Sequence, residues 1–322
     1  MKITIGYDGS KAANRALKDL ANAGLPQAAQ AKLIVAVPPL LPLESLAPTG
    51  DGIAWYADAY KQAVANQKAV VDKAAVQAKE AVKMLKGMFP AWKLEVETSV
   101  DVPSHAILAA AEKWKADLIV VGSKGWNALS KMVIGSVAEK VLHHAHCTVR
   151  LGKGASSDSL KPRPPMLLIA FDGSPHAEEA VRQVAARTWP KGTRARIIAV
   201  SEFQLVMGDI TVALNRSLGW DTGKGSAWPW INKKLDKAVA ALVKAGIAAE
   251  STILIDDPKR AILSQAKKLK ADAIIMGTHG LTGMKRFLLG SVSTSVAAHA
   301  PCSVEIIRAK MARNAKIGKA RP

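Results

Sequence analysis

Cysteine is nearly absent from this chain. Two in 322 residues are too few for a disulfide scaffold and predict a reducing, cytoplasmic setting. No apolar run approaches the ~18 uninterrupted residues that a membrane-crossing helix needs, so no membrane partner is expected. The opening MKITIGYDGS reaches a turn after one short apolar stretch, which predicts no signal peptide. Acidic side chains are also scarce, with 26 Asp and Glu against 45 Lys and Arg, a formal net charge of +19. That surplus is uneven. Residues 1–160 hold 19 basic and 14 acidic side chains, and residues 161–322 hold 26 and 12. From Arg308 onward the chain carries Lys310, Arg313, Lys316, Lys319 and Arg321 and no acid, the composition of a solvated basic tail. No basic stretch is interleaved with aromatics, so RNA or DNA is the weakest partner class that the charge allows.

What the chain has is apolar residues, 49% of the total, enough to build cores and to exclude a disordered or fibrous chain. It also repeats itself. Residues 101–151 align without a gap on 256–306, an offset of 155, with 21 of 51 positions identical. DLIVVGSKG (117–125) matches DAIIMGTHG (272–280), and AHCTV (145–149) matches APCSV (300–304). The front halves match at an offset of 164, ITIGYDGS (3–10) against LLIAFDGS (167–174). Between the copies lies GKGASSDSLKPRPP, whose Gly, Ser and Pro content is that of a linker. The expected organisation is domain 1 at 1–151, a linker at 152–165, domain 2 at 166–308 and a basic tail at 309–322.

Each copy alternates short Ile- and Val-rich strands with helices. In the first, KITIGY, KLIVAV, KLEVET, DLIVV and CTVRL read as strands. Helices are expected from Ser10 to about Asn22, over about 53–86, from Pro103 to Lys115, and from Ser136 to His144. The second copy repeats this with MLLIAF, RIIAV, AAESTILI, DAIIM and CSVEII as strands. Buried apolar strands separated by helices predict an α/β fold, two doubly wound five-stranded parallel sheets in tandem.

In such sheets ligands bind beyond the carboxyl ends of the strands, where the strand order reverses. Strand one of each copy is followed by Asp8-Gly9-Ser10 or Asp172-Gly173-Ser174. Strand four is followed by Gly122-Ser123-Lys124-Gly125, nine residues and Gly135-Ser136, and in copy two by Gly277-Thr278-His279-Gly280, nine residues and Gly290-Ser291. Glycines there let backbone amides approach an anion, and a helix N-terminus favours phosphate. A plainer account exists for each piece: glycine as turn former, Asp-Gly-Ser as turn chemistry, Ser136 with Glu139 as a capping box. The duplication at matched spacing favours ligand binding.

The pattern G-2x-G-9x-G-[S/T] after a strand-one Asp resembles the universal stress protein family in its tandem form, over about 2–151 and 166–308. The resemblance implies a Rossmann-like, adenine-nucleotide-binding sheet. It also implies ATP, with or without Mg, as ligand, and a role in stress adaptation as a nucleotide-dependent regulatory protein. It places the adenine contact at Val37 and Val200, with Tyr7, Asp8, Phe171 and Asp172 beside it. The phosphate loops map to Gly122, Ser123, Lys124, Gly125, Gly135, Ser136 and Val137, and to Gly277, Thr278, His279, Gly280, Gly290, Ser291 and Val292. Tyr7 and Phe171 are bulkier than the residue usual there. Trp126 and Leu281 stand where the family often has arginine, with Lys131 and Arg286 later in the loops. The family's last strands pair across a two-fold axis, which here implies an intramolecular pseudo-dimer and leaves a homodimer open. No catalytic constellation or metal site stands out: GWDTGKGS (219–226) reads as a plain loop, and His143, His144, His146 and Cys147 as a helix end running into a strand. At most slow ATP hydrolysis is expected. The alternatives are a nucleotide-degenerate site for an apolar or lipid-like ligand, and a basic polyanion binder.

Overall fold

The computed structural model describes residues 1–39, 53–123, 134–153, 163–201, 229–278, 280 and 289–308. The middle of the expected linker, the tail, the loops over 40–52 and 202–228 and most of both glycine-rich loops lie outside the described residues. With them go Lys124, Gly125, Trp126, Lys131, His279, Leu281 and Arg286, and the GWDTGKGS stretch.

The first copy runs β1 (Lys2–Gly6), α1 (Lys11–Asp19), β2 (Gln30–Val37), α2 (Ile53–Met88), β3 (Lys93–Val100), α3 (Pro103–Trp114), β4 (Leu118–Gly122), α4 (Ser136–His144) and β5 (Thr148–Gly152). The second runs β6 (Met166–Ala170), α5 (Pro175–Ala185), β7 (Arg194–Ser201), α6 (Pro229–Lys244), β8 (Ala248–Ile255), α7 (Pro258–Lys268), β9 (Ala273–Gly277), α8 (Ser291–His299) and β10 (Ser303–Ile307). No helix among the described residues is long and apolar enough to cross a membrane.

Among the described residues all strands join one ten-stranded sheet in the order β3-β2-β1-β4-β5-β10-β9-β6-β7-β8. Pairing within each half is parallel, and only β5 and β10 lie antiparallel, with Arg150 opposite Glu305. Strand order turns back between β1 and β4, and again between β6 and β9, so each half has a crevice at its carboxyl edge.

Side chains alternate across the sheet, so its two faces differ. Val149, Leu151, Val304 and Ile306 point to one face, where a single apolar core runs through both halves beneath α3, α4, α7 and α8. The opposite face holds two separate cores, one under α1 and α2 and one under α5 and α6. Between them lie Arg150 and Glu305, 1% and 0% exposed. Arg150 donates from Nε to Asp19 Oδ2 at 2.7 Å and from Nη1 to Glu305 Oε2 at 2.9 Å. Arg187 donates from Nη1 to the same oxygen of Glu305 at 3.0 Å, and its other nitrogen pairs with Oε1. The result is a buried row of four charges of alternating sign, Asp19, Arg150, Glu305 and Arg187. Burial alone would raise the Glu305 carboxyl, but Arg187 and Arg150 outweigh it and hold it below the usual range.

A buried ion pair adds little net stability but is costly to break, because one charge is left uncompensated. Glu305→Gln should therefore destabilise the chain by about 3–5 kcal/mol at neutral pH. Since Glu305 titrates lower in the folded chain than unfolded, its contribution is complete above the ordinary carboxylate value of about 4.3. It is lost as pH falls through the lower folded value. Urea melts of wild type and Glu305→Gln should show a gap that is constant near neutrality and closes in acid.

Candidate functional site

The chain leaves β1 and β6 through matching turns. The Asp8 carboxylate accepts from the Ser10 amide at 2.9 Å, and Asp172 accepts from Ser174 at 3.0 Å. The serine hydroxyls then cap the next helix, Ser10 accepting from Ala13 N–H and Ser174 from Ala177 N–H. Gly9 and Gly173 sit at φ +73° and +76°, where a side chain is strained. The turn chemistry of Asp-Gly-Ser is thus real, and one carboxylate oxygen of each Asp is spent on it.

Gly122 and Gly277 close β4 and β9 where the first turn of a helix crosses them. A Cβ on Gly277 would lie 2.7 Å from His176 Cβ and 3.0 Å from its carbonyl carbon; on Gly122 it would meet Ala12 and Ala13 backbone at 3.1 Å. Gly280 answers a different demand, since its Cβ would stand 2.7 Å from Asp172 Oδ2. A side chain there would push the Asp172 carboxylate aside.

The loops return to the sheet through Gly135 and Gly290, whose amides donate to Ser123 O and Thr278 O, both at 2.9 Å. Here the capping-box expectation fails. Gly135 is the N-cap of α4, and Ser136 is already in the helix, one position too late to cap it. Gly290 holds the same place on α8, again with no side-chain cap. Ser293 Oγ reaches Thr278 O at 3.0 Å and Gly290 O at 2.9 Å, so the first-turn hydroxyls serve carbonyls rather than amides. Both helices therefore begin at a glycine N-cap that supplies no side-chain acceptor.

In the second copy these parts enclose a cavity of about 360 Å³. Phe171, Asp172, Val200, Gly277, Thr278, Gly280, Gly290, Ser291 and Val292 all line it. Sequence reasoning missed Ile198, Pro258, Ile262 and Met276, which form much of its apolar wall with Ala170. A cue existed, because Pro258 and Ile262 repeat Pro103 and Ile107 at the start of α3. Just before α7, Asp256 is held by the exposed Arg260, whose hydrogen bond keeps the carboxyl below its usual range. In copy one Asp101 pairs with His105 at 2.7 Å instead.

The first copy shares the turn and helix start, with Asp8, Gly122, Ser123, Gly135, Ser136 and Val137 at the same strand ends. Its apolar wall differs. Ile107 packs so closely on β1 that a Cβ on Gly6 would lie 2.4 Å from Ile107 Cδ1. Tyr7 is buried on the α1 and α2 face, its hydroxyl donating to Asn14 Oδ1 at 2.9 Å, and burial and then Glu80 raise its pKa. Val37 and Val200 are not equivalent. Strand register sets Val37 opposite Val100, while Ser201 stands opposite Ile255, so Ser201 repeats Val37 and Val200 repeats Ala36. A one-residue offset reverses the face. Val200 lines the cavity, whereas Val37 packs in the core under α1 and α2.

The sequence pattern of the Universal stress protein family matches residues 1–151 and 166–308. A universal stress protein of Mycolicibacterium smegmatis is 27% identical over 222 residues, 67% of this chain and 69% of that one. One from Methanocaldococcus jannaschii is 42% identical over 79 residues, which span 24% of this chain and 46% of that relative. The crystal structure of a universal stress protein from Archaeoglobus fulgidus superposes with a TM-score of 0.59 at 22% identity, covering 95% of this chain and 96% of that one. That likeness is one of fold.

The glycine packing is directly testable. Gly277→Ala should cost about 1–3 kcal/mol by overpacking against His176. Gly87→Ala, at a helix position with nothing within 4 Å, should be neutral or gain up to about 1 kcal/mol. Denaturant midpoints of the two variants check the contrast.

Proposed function

The chain belongs to the universal stress protein family, and from that premise we propose that it binds an adenine nucleotide in the cavity of the second copy. The favoured ligand is ATP, with or without Mg, and the role is nucleotide-dependent regulation of partner binding during stress. The observation that carries this reading is the convergence of Asp172, Gly280 and the uncapped start of α8 on one apolar-walled cavity. Its volume, about 360 Å³, is that of a small-molecule site.

The chemistry of the lining fits such a ligand in two parts. Ile198, Val200, Ile262 and Met276 offer an apolar slot for a purine. The amides opening α8 and the bare approach at Gly280 suit a phosphate chain. Asp172 stands between them, with its second oxygen towards Gly280, where a ribose hydroxyl or a phosphate-bound metal ion would meet it. Bound nucleotide supplies a dense negative charge, and these residues hold and orient it. Asp172 Oδ1 accepts from the Ser174 amide, which holds the carboxylate in place, and turnover is expected to be at most slow. In copy one, Ile107 occupies the space over β1, which favours the second site as the stronger.

Gly290→Asp separates binding from folding. The Gly290 backbone, φ −66° and ψ 155°, accepts Asp without strain, and Asp is a preferred N-cap. The variant should melt at or above the wild-type temperature while losing at least about tenfold in ATP affinity through charge at the helix start. The matching Gly135→Asp should change ATP affinity less. Thermal shift and calorimetric titration read both. No ATP-dependent stabilisation of wild type, or an apolar molecule found by mass spectrometry of native protein, would remove the nucleotide reading.

A further inference from the structure

The seam between the copies is built from two kinds of contact. One kind is reciprocal. Lys153, just after β5, donates its ammonium to Ala300 O at the end of α8. Its repeat Arg308, just after β10, donates to Leu142 O near the end of α4. Lys153 N–H also reaches Ser303 Oγ at 3.0 Å, and Arg308 N–H reaches Thr148 Oγ1 at 3.5 Å. Thr148 and Ser303 are repeats of each other at the same offset of 155. Cationic groups at helix ends satisfy terminal carbonyls and suit the helix dipole. These contacts would form equally well whichever two copies met.

The other kind is not reciprocal. Arg150 and Glu305 occupy the same repeat position, 155 apart, and lie directly opposite each other across the pseudo-two-fold. A copy meeting its like would set Arg against Arg or Glu against Glu. The flanking charges sharpen this. Asp19 of copy one serves Arg150 and Arg187 of copy two serves Glu305, and neither is repeated, since Gln183 stands at the position of Asp19 and Ala23 at that of Arg187. Pairing unlike copies gives the order acid, base, acid, base. Pairing like copies puts two bases or two acids together at the buried centre, where like charges directly opposite are destabilising.

We infer that the β5–β10 edge is a polarity-keyed interface: the last strand of copy one accepts the last strand of copy two and rejects another copy of itself. Its partner is the second half of this chain, or the second half of another molecule of it by exchange. Any further association of the chain would use other surfaces. The key lies in residues 150 and 305, with Asp19 and Arg187 as its supports.

The full-length chain can imitate each rejected pairing. Glu305→Arg gives the Arg-against-Arg centre of two first copies, and Arg150→Glu gives the Glu-against-Glu centre of two second copies. Both should raise hydrogen exchange at the β5 and β10 amides on the order of a hundredfold or more, well beyond Glu305→Gln and Arg150→Gln. The double variant Arg150→Glu/Glu305→Arg restores opposite charges at the centre but sets like charges against Asp19 and Arg187, so the reversal is completed with Asp19→Arg and Arg187→Glu. The four-site reversal restores alternation along the whole row and should recover protection and melting temperature over both inverted singles, including the case in which those singles do not fold. Two outcomes overturn the inference: inverted singles no worse than their Gln counterparts, or a four-site reversal no better than the worse single.

Discussion

The junction of β5 and β10 settles how this molecule is built. A parallel half-sheet ends in an edge strand with unmet hydrogen-bonding groups, and such an edge invites any other strand to dock. Here two five-residue strands, buried along their whole length, close each other's edges in antiparallel register. Val149, Leu151, Val304 and Ile306 make the sheet's one continuous apolar face. On the alternate face Ile307 joins the core under α5 and α6, while Arg150 and Glu305 stand where Asp19, at the end of α1, and Arg187, just beyond α5, reach the two strands. Glycine marks the crowding: a Cβ on Gly152 would lie 2.5 Å from Ala16 Cα, and one on Gly24 would lie 2.6 Å from the Trp189 ring.

The four buried charges fill that gap, and through it they fix the two halves relative to each other. Asp19 ends α1 and Arg187 lies just beyond α5, while the Asp-Gly-Ser turns sit at the opposite ends of the same helices. Each helix therefore runs from a candidate ligand crevice to the seam. The lattice of contacts at the seam sets the direction in which each crevice faces, because the helix between them is a rigid element packed on its own sheet.

Much of this was legible in the sequence, and the reasons are local. Strands such as DLIVV and helix starts such as Ser10 declare themselves through period and capping, and the duplication confirmed each by repetition. KLEVET was read correctly as a strand, but its alternation hid its place. It is the outer edge, where Val96 is 46% exposed and Val100 is 53% exposed. The adenine contact slipped by one residue in copy two, although the offset of 164 that aligns the first strands already carries Val37 to Ser201; strand register agrees. The seam charges were visible as an Arg and a Glu in the middle of two matching apolar strands. Their meaning was not, because Asp19 at the end of α1 and Arg187 just beyond α5 are each more than a hundred residues in sequence from the charge they meet.

Comparing the copies separates what the fold demands from what a ligand demands. The positions that stay the same have backbone reasons: Gly9 and Gly173 take positive φ, Ser10 and Ser174 cap helices, Gly122 and Gly277 make room for α1 and α5. The positions that change lie at the seam or line the crevice of copy two, where Gly6 becomes Ala170, Ala36 becomes Val200 and Val121 becomes Met276. Part of the glycine motif therefore reports the fold, and repetition of the motif alone is weaker support for a ligand than it first looks. The stronger support comes from Gly290 and Gly280. Neither packs a helix against a strand: one leaves a helix start without a side-chain cap, and the other puts bare backbone beside Asp172.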